Sequence, residues 1–244
     1  MRHAFVSSKG SGPSQVPSRF WPVHSKHTNA IRQTARVRRH NRIMNSTIPV
    51  AHDFICPWCW VGILQAKRLE EEFGVTIEWL GYELFPEELE WPDYPAAAEP
   101  PANKPPVLSR FEFLLAADDI EMPTAVRPRK MRTYNAHQAV EYAKTEGVAN
   151  ELVEVFYRAY WERGEEINDV TVITRLAEGV VKDTAALVEA IQAKKFKDKV
   201  VGFDDDAYAS GVYNVPTFYI GEKRYAEQPY SALRKAIKET QVGV

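Results

Sequence analysis

Cysteine is scarce in this chain: 244 residues hold two, Cys56 and Cys59. A single pair excludes the disulfide framework of a small secreted scaffold. It also excludes an all-cysteine zinc centre, which takes four ligands. Histidine adds little, since of six only His52 and His137 lie beyond residue 50. A Cys2His2 site would have to recruit both, so no metal is expected. No stretch approaches the roughly 18 consecutive apolar residues of a membrane helix, and no membrane partner is expected. Nothing repeats at the roughly 20–50-residue period of a solenoid. Acid is missing from one region altogether. Residues 1–52 contain nine of the 31 Lys and Arg and none of the 33 Asp and Glu, which leaves 22 bases against 33 acids in 53–244, a net of −11.

That acid-free stretch is rich in Ser, Arg and Pro and shows no hydrophobic period. It lacks the roughly 7–15-residue apolar core of a secretory signal. Three readings stay open: a spurious or disordered leader ahead of a start at Met44, an organelle-targeting segment, or a basic arm for nucleic acid. Each predicts disorder over residues 1–45. The arm ranks last, so no nucleic-acid partner is expected. An apolar share of 45% with 26% charge suits an ordinary buried core, and the length suits one large domain, here residues 46–244.

"STIPVAHDFI" (46–55) reads as a short buried strand ending at the first cysteine. "PWCWVGILQAKRLEEEFG" (57–74) then reads as a helix. Pro57 suits the first helical position, where its missing N–H costs nothing. Ile63, Leu64, Ala66, Leu69 and Phe73 recur at helical spacing, and Gly74 closes the segment. "VTIEWLGYEL" (75–84) alternates Val75, Ile77 and Trp79 as a strand does, and residues 85–106 are too proline-rich for regular structure. Helices are predicted over 107–117, 134–146, 149–162, 170–180, 184–193 and 195–209, with Asn168 or Asp169, and Asp183, as N-caps. A strand at 216–221, a short partner at 224–226 and the amphipathic helix "YSALRKAIKET" end the chain. The order is similar to the thioredoxin plan. The expected fold class is α/β, thioredoxin-like, with a long all-helical insertion, about residues 107–209, between the βαβ and ββα halves.

The stretch "FICPWCW" (54–60) holds both cysteines. Two inert buried thiols are one reading, since free cysteine packs as a small hydrophobe. That reading gives no account of a helix opening directly after Cys56. A redox pair does. Cys56, at the N-cap, faces unsatisfied backbone N–H groups and the positive end of the helix, and both favour a thiolate. Cys59 lies one turn further in, on the same face, where a disulfide can close after local adjustment. Cys56 should meet the reactant from solvent, and the more shielded Cys59 should resolve the mixed disulfide. A second signal is "GVYNVPTFYIG" (211–221). Pro216 cannot donate to a ladder, so it needs a strand start or an edge. Either it is an ordinary trans proline, or a cis Val215–Pro216 bond sets the Val215 backbone beside the cysteines, free to pair with an extended substrate.

CPWC at the start of the first helix, with "GVYNVPTF", resembles the DsbA-like branch of the thioredoxin superfamily, and within it the FrnE-type thiol oxidoreductases. "HDFICPWCWVG", "NAHQAVEYAKTEG", "VFYRAYWERGEEINDVTVITRLAE" and "AEQPYSALRKAI" share the likeness, which spans residues 48–240. It implies that Cys56 is the nucleophile, Cys59 the resolving cysteine, and Pro216 a cis proline preceded by Val215. Pro57, Trp58, Val215 and Pro216 would then lie on the substrate side. Asn135 matches a position that approaches the active-site mouth in glutathione-linked relatives; its other reading is an N-cap paired with Gln138. Relatives often carry a buried acid where this chain has Val50. Asp53 is the nearest substitute, read more simply as a structural hydrogen bonder at a strand end. Trp58 stands where strongly oxidising members place histidine, so a milder potential is expected. His52 is read as buried or merely exposed rather than catalytic, Trp60 as core, and Asp204–Asp206 as a solvated face.

The likeness implies a thiol–disulfide oxidoreductase or isomerase acting on protein or low-molecular-weight disulfides. No metal or organic cofactor is expected; glutathione is a co-substrate and the cytoplasm the compartment, with organelle targeting by the leader as the alternative. The competing expectation is a glutathione-dependent enzyme of the 2-hydroxychromene-2-carboxylate isomerase or kappa glutathione transferase type. Those place a serine-type residue at the nucleophile position.

Overall fold

The structure, a computed structural model, describes residues 46–91, 108–203, 212 and 214–242. The expectations for residues 1–45, for most of the proline-rich linker and for Asp204–Asp206 lie outside the described residues.

Strand β1 (Thr47–His52) runs through the middle of the sheet and is buried along most of its length. It lies parallel to β2 (Thr76–Glu83), from Thr47 opposite Thr76 to His52 opposite Gly81. On its other side it is antiparallel to β4 (Thr217–Ile220), which pairs in turn with β5 (Lys223–Ala226). Adding β3 (Val201–Gly202), the order is β3-β2-β1-β4-β5. A strand flanked on both sides needs apolar side chains on both faces, which Ile48, Val50 and Ala51 supply.

Helix α1 (Pro57–Phe73) makes the crossover between β1 and β2. It opens at Cys56, which keeps extended backbone angles, and has Pro57 in its first turn. Gly74 closes it at φ 63°, a left-handed conformation that glycine adopts without penalty, and donates its N–H to Glu70 O. Five helices follow: α2 (Arg110–Asp118), α3 (Tyr134–Glu146), α4 (Ala149–Arg163), α5 (Val170–Ala177) and α6 (Thr184–Gln192). Asp169 and Asp183 cap α5 and α6 through their side chains, as their positions in the sequence suggested. Helix α7 (Tyr230–Val242) ends the described chain. Buried Asp118 at the end of α2 takes the Tyr230 N–H at 2.9 Å, fastening the helical segment to the C-terminal unit.

The helix predicted over 195–209 is corrected for residues 195–203, and the rest of that span lies outside the described residues. The chain leaves α6 through Lys194 at φ 48°, makes one 3-10 turn at Lys197–Lys199, and then enters β3. Without β3 the edge of β2 would present unpaired backbone groups; Val201 and Gly202 pair there with Tyr82 and Glu83, and Phe203 N donates to Glu83 O at 2.9 Å. Ladder bonds to an existing sheet outweigh the helix propensity of a lysine-rich run, which is a small term per residue, so residues 201–202 are strand. Among the described residues no helix is long and apolar enough to cross a membrane.

Candidate active site

The carbonyl of Cys56 starts α1, accepting from Cys59 N at 3.0 Å and Trp60 N at 3.2 Å, so the second sulfur sits one turn inside the helix that the first one opens. The Cys56 side chain makes no capping bond to the helix N–H groups. Its Sγ donates instead to Val215 O, at 3.4 Å. Cys59 Sγ accepts from the Asp53 N–H at 3.5 Å. Cys56 is 6% exposed and Cys59 1%, an order of shielding that matches the roles expected of them, with Cys56 less open than anticipated. Burial first, then the neighbouring Cys56, pushes the Cys59 thiol well up, so it is protonated at neutral pH.

The Val215–Pro216 peptide is cis. Pro216 rests on α1 at Gly62, where a Cβ would stand 3.0 Å from both its Cβ and its Cγ. A glycine two turns into the helix is thus what lets the β4 loop lie this close to the cysteines. Pro57 is exposed and Trp58 partly so. The Trp58 ring packs on Phe111, 4.9 Å between centroids, and under the Arg110 guanidinium. Arg110 also pairs with Glu227 at 2.9 Å, and Glu227 N donates to Pro216 O, so the Cys-Pro-Trp-Cys turn and the proline loop are bridged through α2. Trp60 is core, as expected, tilted against Trp161, whose Nε1 donates to Phe54 O at 2.8 Å.

Asn135 is held by Asn168. Its Nδ2 donates to Asn168 O and its backbone N to Asn168 Oδ1, tying α3 to the turn before α5. The N-cap of α3 is Thr133 rather than Asn135, and Gln138 accepts from Phe196 N. The helix starts earlier than the capping pattern suggested because Glu83, reaching from β2, takes the N–H groups of Thr133 and Tyr134 with one carboxylate oxygen.

Behind Cys59 lies a buried polar cluster that sequence reasoning did not assemble. His52 ends β1 and Asp53 follows it, Glu83 ends β2, and His137 and Tyr157 come from α3 and α4; all five are buried. Asp53 is the structural hydrogen bonder it was read as, accepting from Leu84 N at 2.7 Å and facing His137 Nε2 at 3.6 Å. His52 Nδ1 meets the Tyr157 hydroxyl at 2.9 Å, and that hydroxyl donates to Asp53 O at 3.3 Å. Gly81 makes room for the histidine of α3, since a Cβ there would stand 2.9 Å from His137 Nδ1. Burial, then His137 and Lys144, hold His52 well below the usual imidazole range, so it is neutral. Burial, then the two sulfurs and Asp53, push the Tyr157 phenol well up. Burial likewise raises Glu83. The one sequence signal for this cluster was a histidine among Ala136, Ala139 and Val140 on the apolar side of a helix. Among the described residues no group of three or more His, Cys, Asp or Glu could hold a metal ion.

Two cysteines opening the helix after the first strand, met by a proline loop from the antiparallel half, define a thioredoxin-fold dithiol protein. Residues 47–238 match the model of the DSBA-like thioredoxin domain, and the chain belongs to that family. It is 26% identical over 186 residues, 73% of this chain and 88% of the relative, to YwbO of Bacillus subtilis strain 168, which is uncharacterized. Its fold is similar to that of the cytosolic disulfide reductase DsbM of Pseudomonas aeruginosa solved with GSH, at TM-score 0.51 and 16% identity over 81% of this chain and 100% of that one. It is also similar to a 2-hydroxychromene-2-carboxylate isomerase, at TM-score 0.55 and 15% identity over 80% of this chain and 95% of that one. The fold therefore hosts both chemistries named from the sequence, and the choice between them rests on the site.

Proposed function

We propose that this protein is a thiol–disulfide oxidoreductase working through Cys56 and Cys59 on protein or low-molecular-weight disulfides. The observation that carries the reading is the pair itself: two sulfurs at the opening of one helix, with the Val215 carbonyl against the outer one. In the reducing direction the Cys56 thiolate attacks a substrate disulfide, forming a Cys56–substrate mixed disulfide and releasing one substrate sulfur, which takes a proton. Cys59 then attacks Cys56 Sγ, the enzyme disulfide closes, and the second substrate sulfur leaves as a thiol. Two glutathione thiols return the pair to the dithiol and are themselves oxidised to glutathione disulfide. The oxidising and isomerising directions use the same steps in reverse or in alternation.

DsbM, described as cytosolic and solved with GSH, supports glutathione as the low-molecular-weight partner and a reducing compartment, where such a pair is catalytic rather than structural. Trp58 between the cysteines and the likeness of the motif stretches support a mild, FrnE-type member. Pro57, Trp58, Val215 and Pro216 are assigned to the substrate side. Asn135 donates its Nδ2 to Asn168 O, which fixes its side chain at the start of α3.

Reduction of insulin by glutathione tests the proposal. The wild type should catalyse it, Cys56→Ser should fall to background, and Cys59→Ser should accumulate a glutathione adduct on Cys56 visible by mass. Isomerisation or conjugation of an aromatic or electrophilic substrate that survives in Cys56→Ser, with no insulin turnover by the wild type, would establish the isomerase or transferase reading instead.

A further inference from the structure

The resolving step sets a problem that the site must answer. Cys59 has to give up its proton in a buried place, and β1, the strand that leads to it, holds no acid from Thr47 to His52. The carboxylate of Asp53 does not substitute, because its oxygens are turned to the N–H groups of Leu84 and Ile55. It is the backbone of Asp53 that serves the sulfur, through the N–H donated at 3.5 Å.

At the carbonyl of that same residue, one peptide further on, stands Tyr157. Its hydroxyl donates to Asp53 O at 3.3 Å, long for an O–H···O bond, whose usual length is about 2.7–2.8 Å. The contact with His52 Nδ1 is shorter, 2.9 Å. His52 Nε2 is buried with no hydrogen-bond partner. A buried N–H without a partner is costlier than a buried lone pair without one, so the single proton of the neutral ring belongs on Nδ1. His52 is then the donor and the phenol oxygen the acceptor. The phenol hydrogen is left in a weak bond to a carbonyl, close to a sulfur whose charge already bears on the phenol.

We infer that Tyr157 is a catalytic hydrogen-bond donor to the Cys59 thiolate as it attacks the mixed disulfide, and that His52 is the residue that positions it. The inference rests on the dithiol reading above. As Cys59 ionises, the Tyr157 O–H swings from Asp53 O to Cys59 Sγ, joining the Asp53 N–H there. Its lone pair stays held by His52 Nδ1–H. The Cys59–Cys56 S–S bond forms, the Cys56–substrate S–S bond breaks, and the proton shed by Cys59 ends on the departing substrate sulfur. No external base or oxidant enters. The titratable groups around Cys59 are Cys56 and Asp53 from its own segment and Tyr157 from α4, with His52 and His137 behind. A donor aimed at a buried thiolate is worth about tenfold or more in ionised fraction, since hydrogen bonds to charged groups are the strong ones.

Cys59 is titrated by its alkylation rate against pH in Cys56→Ser and in Cys56→Ser/Tyr157→Phe. The phenylalanine should lower the ionised fraction of Cys59 about tenfold at a fixed pH. In the protein with both cysteines, Tyr157→Phe should leave the first attack by Cys56 unaltered and prolong the glutathione mixed disulfide severalfold. His52→Leu should behave like Tyr157→Phe, and His52→Asn, which restores an N–H near the Nδ1 position, should recover most of the loss. If Tyr157→Phe does not fold, the His52 pair carries the same comparison. A Cys59 profile that is identical with and without the phenol hydroxyl, or with Leu and Asn at 52, overturns the inference. A profile that moves in a protein that turns over no disulfide upholds the donor and overturns the dithiol function.

Discussion

Replacing Gly62 with alanine sets two opposed effects against each other at the contact between α1 and the proline loop. A Cβ built there stands 3.0 Å from Pro216 Cβ and Cγ and 3.9 Å from Phe218 Cε2. Saturated carbons rest at about 3.5–4.0 Å, so the proline would have to retreat by about 0.5–1 Å. Its ring has no rotamer to turn away, and the loop behind it is anchored by the β4 ladder. Overpacking of this kind costs about 1–3 kcal/mol. Against it, alanine in place of an interior helical glycine gains about 1 kcal/mol. The net expectation is a loss of up to about 2 kcal/mol, or about 2–4 °C in Tm for each kcal/mol in a domain of this size. Turnover should suffer more than stability, because the Val215 carbonyl moves with Pro216 and its 3.4 Å contact with Cys56 Sγ does not survive such a retreat. Urea denaturation and insulin reduction on the same preparation measure both. A Gly62→Ala protein that is more stable by the full helix-propensity gain and reduces insulin like the wild type would refute the contact and the reasoning built on it.

Acid should weaken the fold through His52. Its pKa is held well below the ordinary 6.5, so the unfolded chain takes up a proton that the folded chain refuses; the stability is complete above about pH 6.5 and lost as pH falls below it. Glu83, raised above its ordinary 4.5, acts in the opposite sense, with its contribution present below that value and lost as pH rises through its folded one. Urea midpoints should therefore fall from about pH 6.5 to 5.5, by at most about 1.4 kcal/mol per pH unit for one proton, and the slope should flatten in His52→Leu. At the surface, Arg110→Ala should cost less than about 1 kcal/mol, because a guanidinium 65% exposed gains little from Glu227. It should nevertheless loosen Trp58 and speed alkylation of Cys56; unchanged access to Cys56 would show that the α2 bridge does not shield the site.

Local chemistry was legible where neighbours in the chain decide the outcome. Pro57 after Cys56 and Gly74 at the far end bound α1 because backbone angles and orphan N–H groups are settled within a turn, and Asp169 and Asp183 cap their helices for the same reason. Alternating burial along 75–84 yielded β2, and the pair three residues apart in the chain yielded the dithiol. The run at 195–203 went the other way. Its composition argues for a helix, but a strand edge contributed by residues far upstream captured Val201 and Gly202.

Sequence by itself determined the cysteine pair, the helix that presents it and the family plan, since each depends on spacing of a few residues. Only the tertiary structure decided what surrounds the second sulfur. His52, Tyr157 and His137 are separated by more than eighty residues along the chain, or sit in helices whose rotation no local pattern specifies. They converge because β1, α3 and α4 each bury one face against the same core, and in that low-dielectric place a hydroxyl and a ring nitrogen must find partners or remain costly. The pressure to pair buried polar groups, a property of the packed interior, put Tyr157 between His52 and the backbone that holds Cys59.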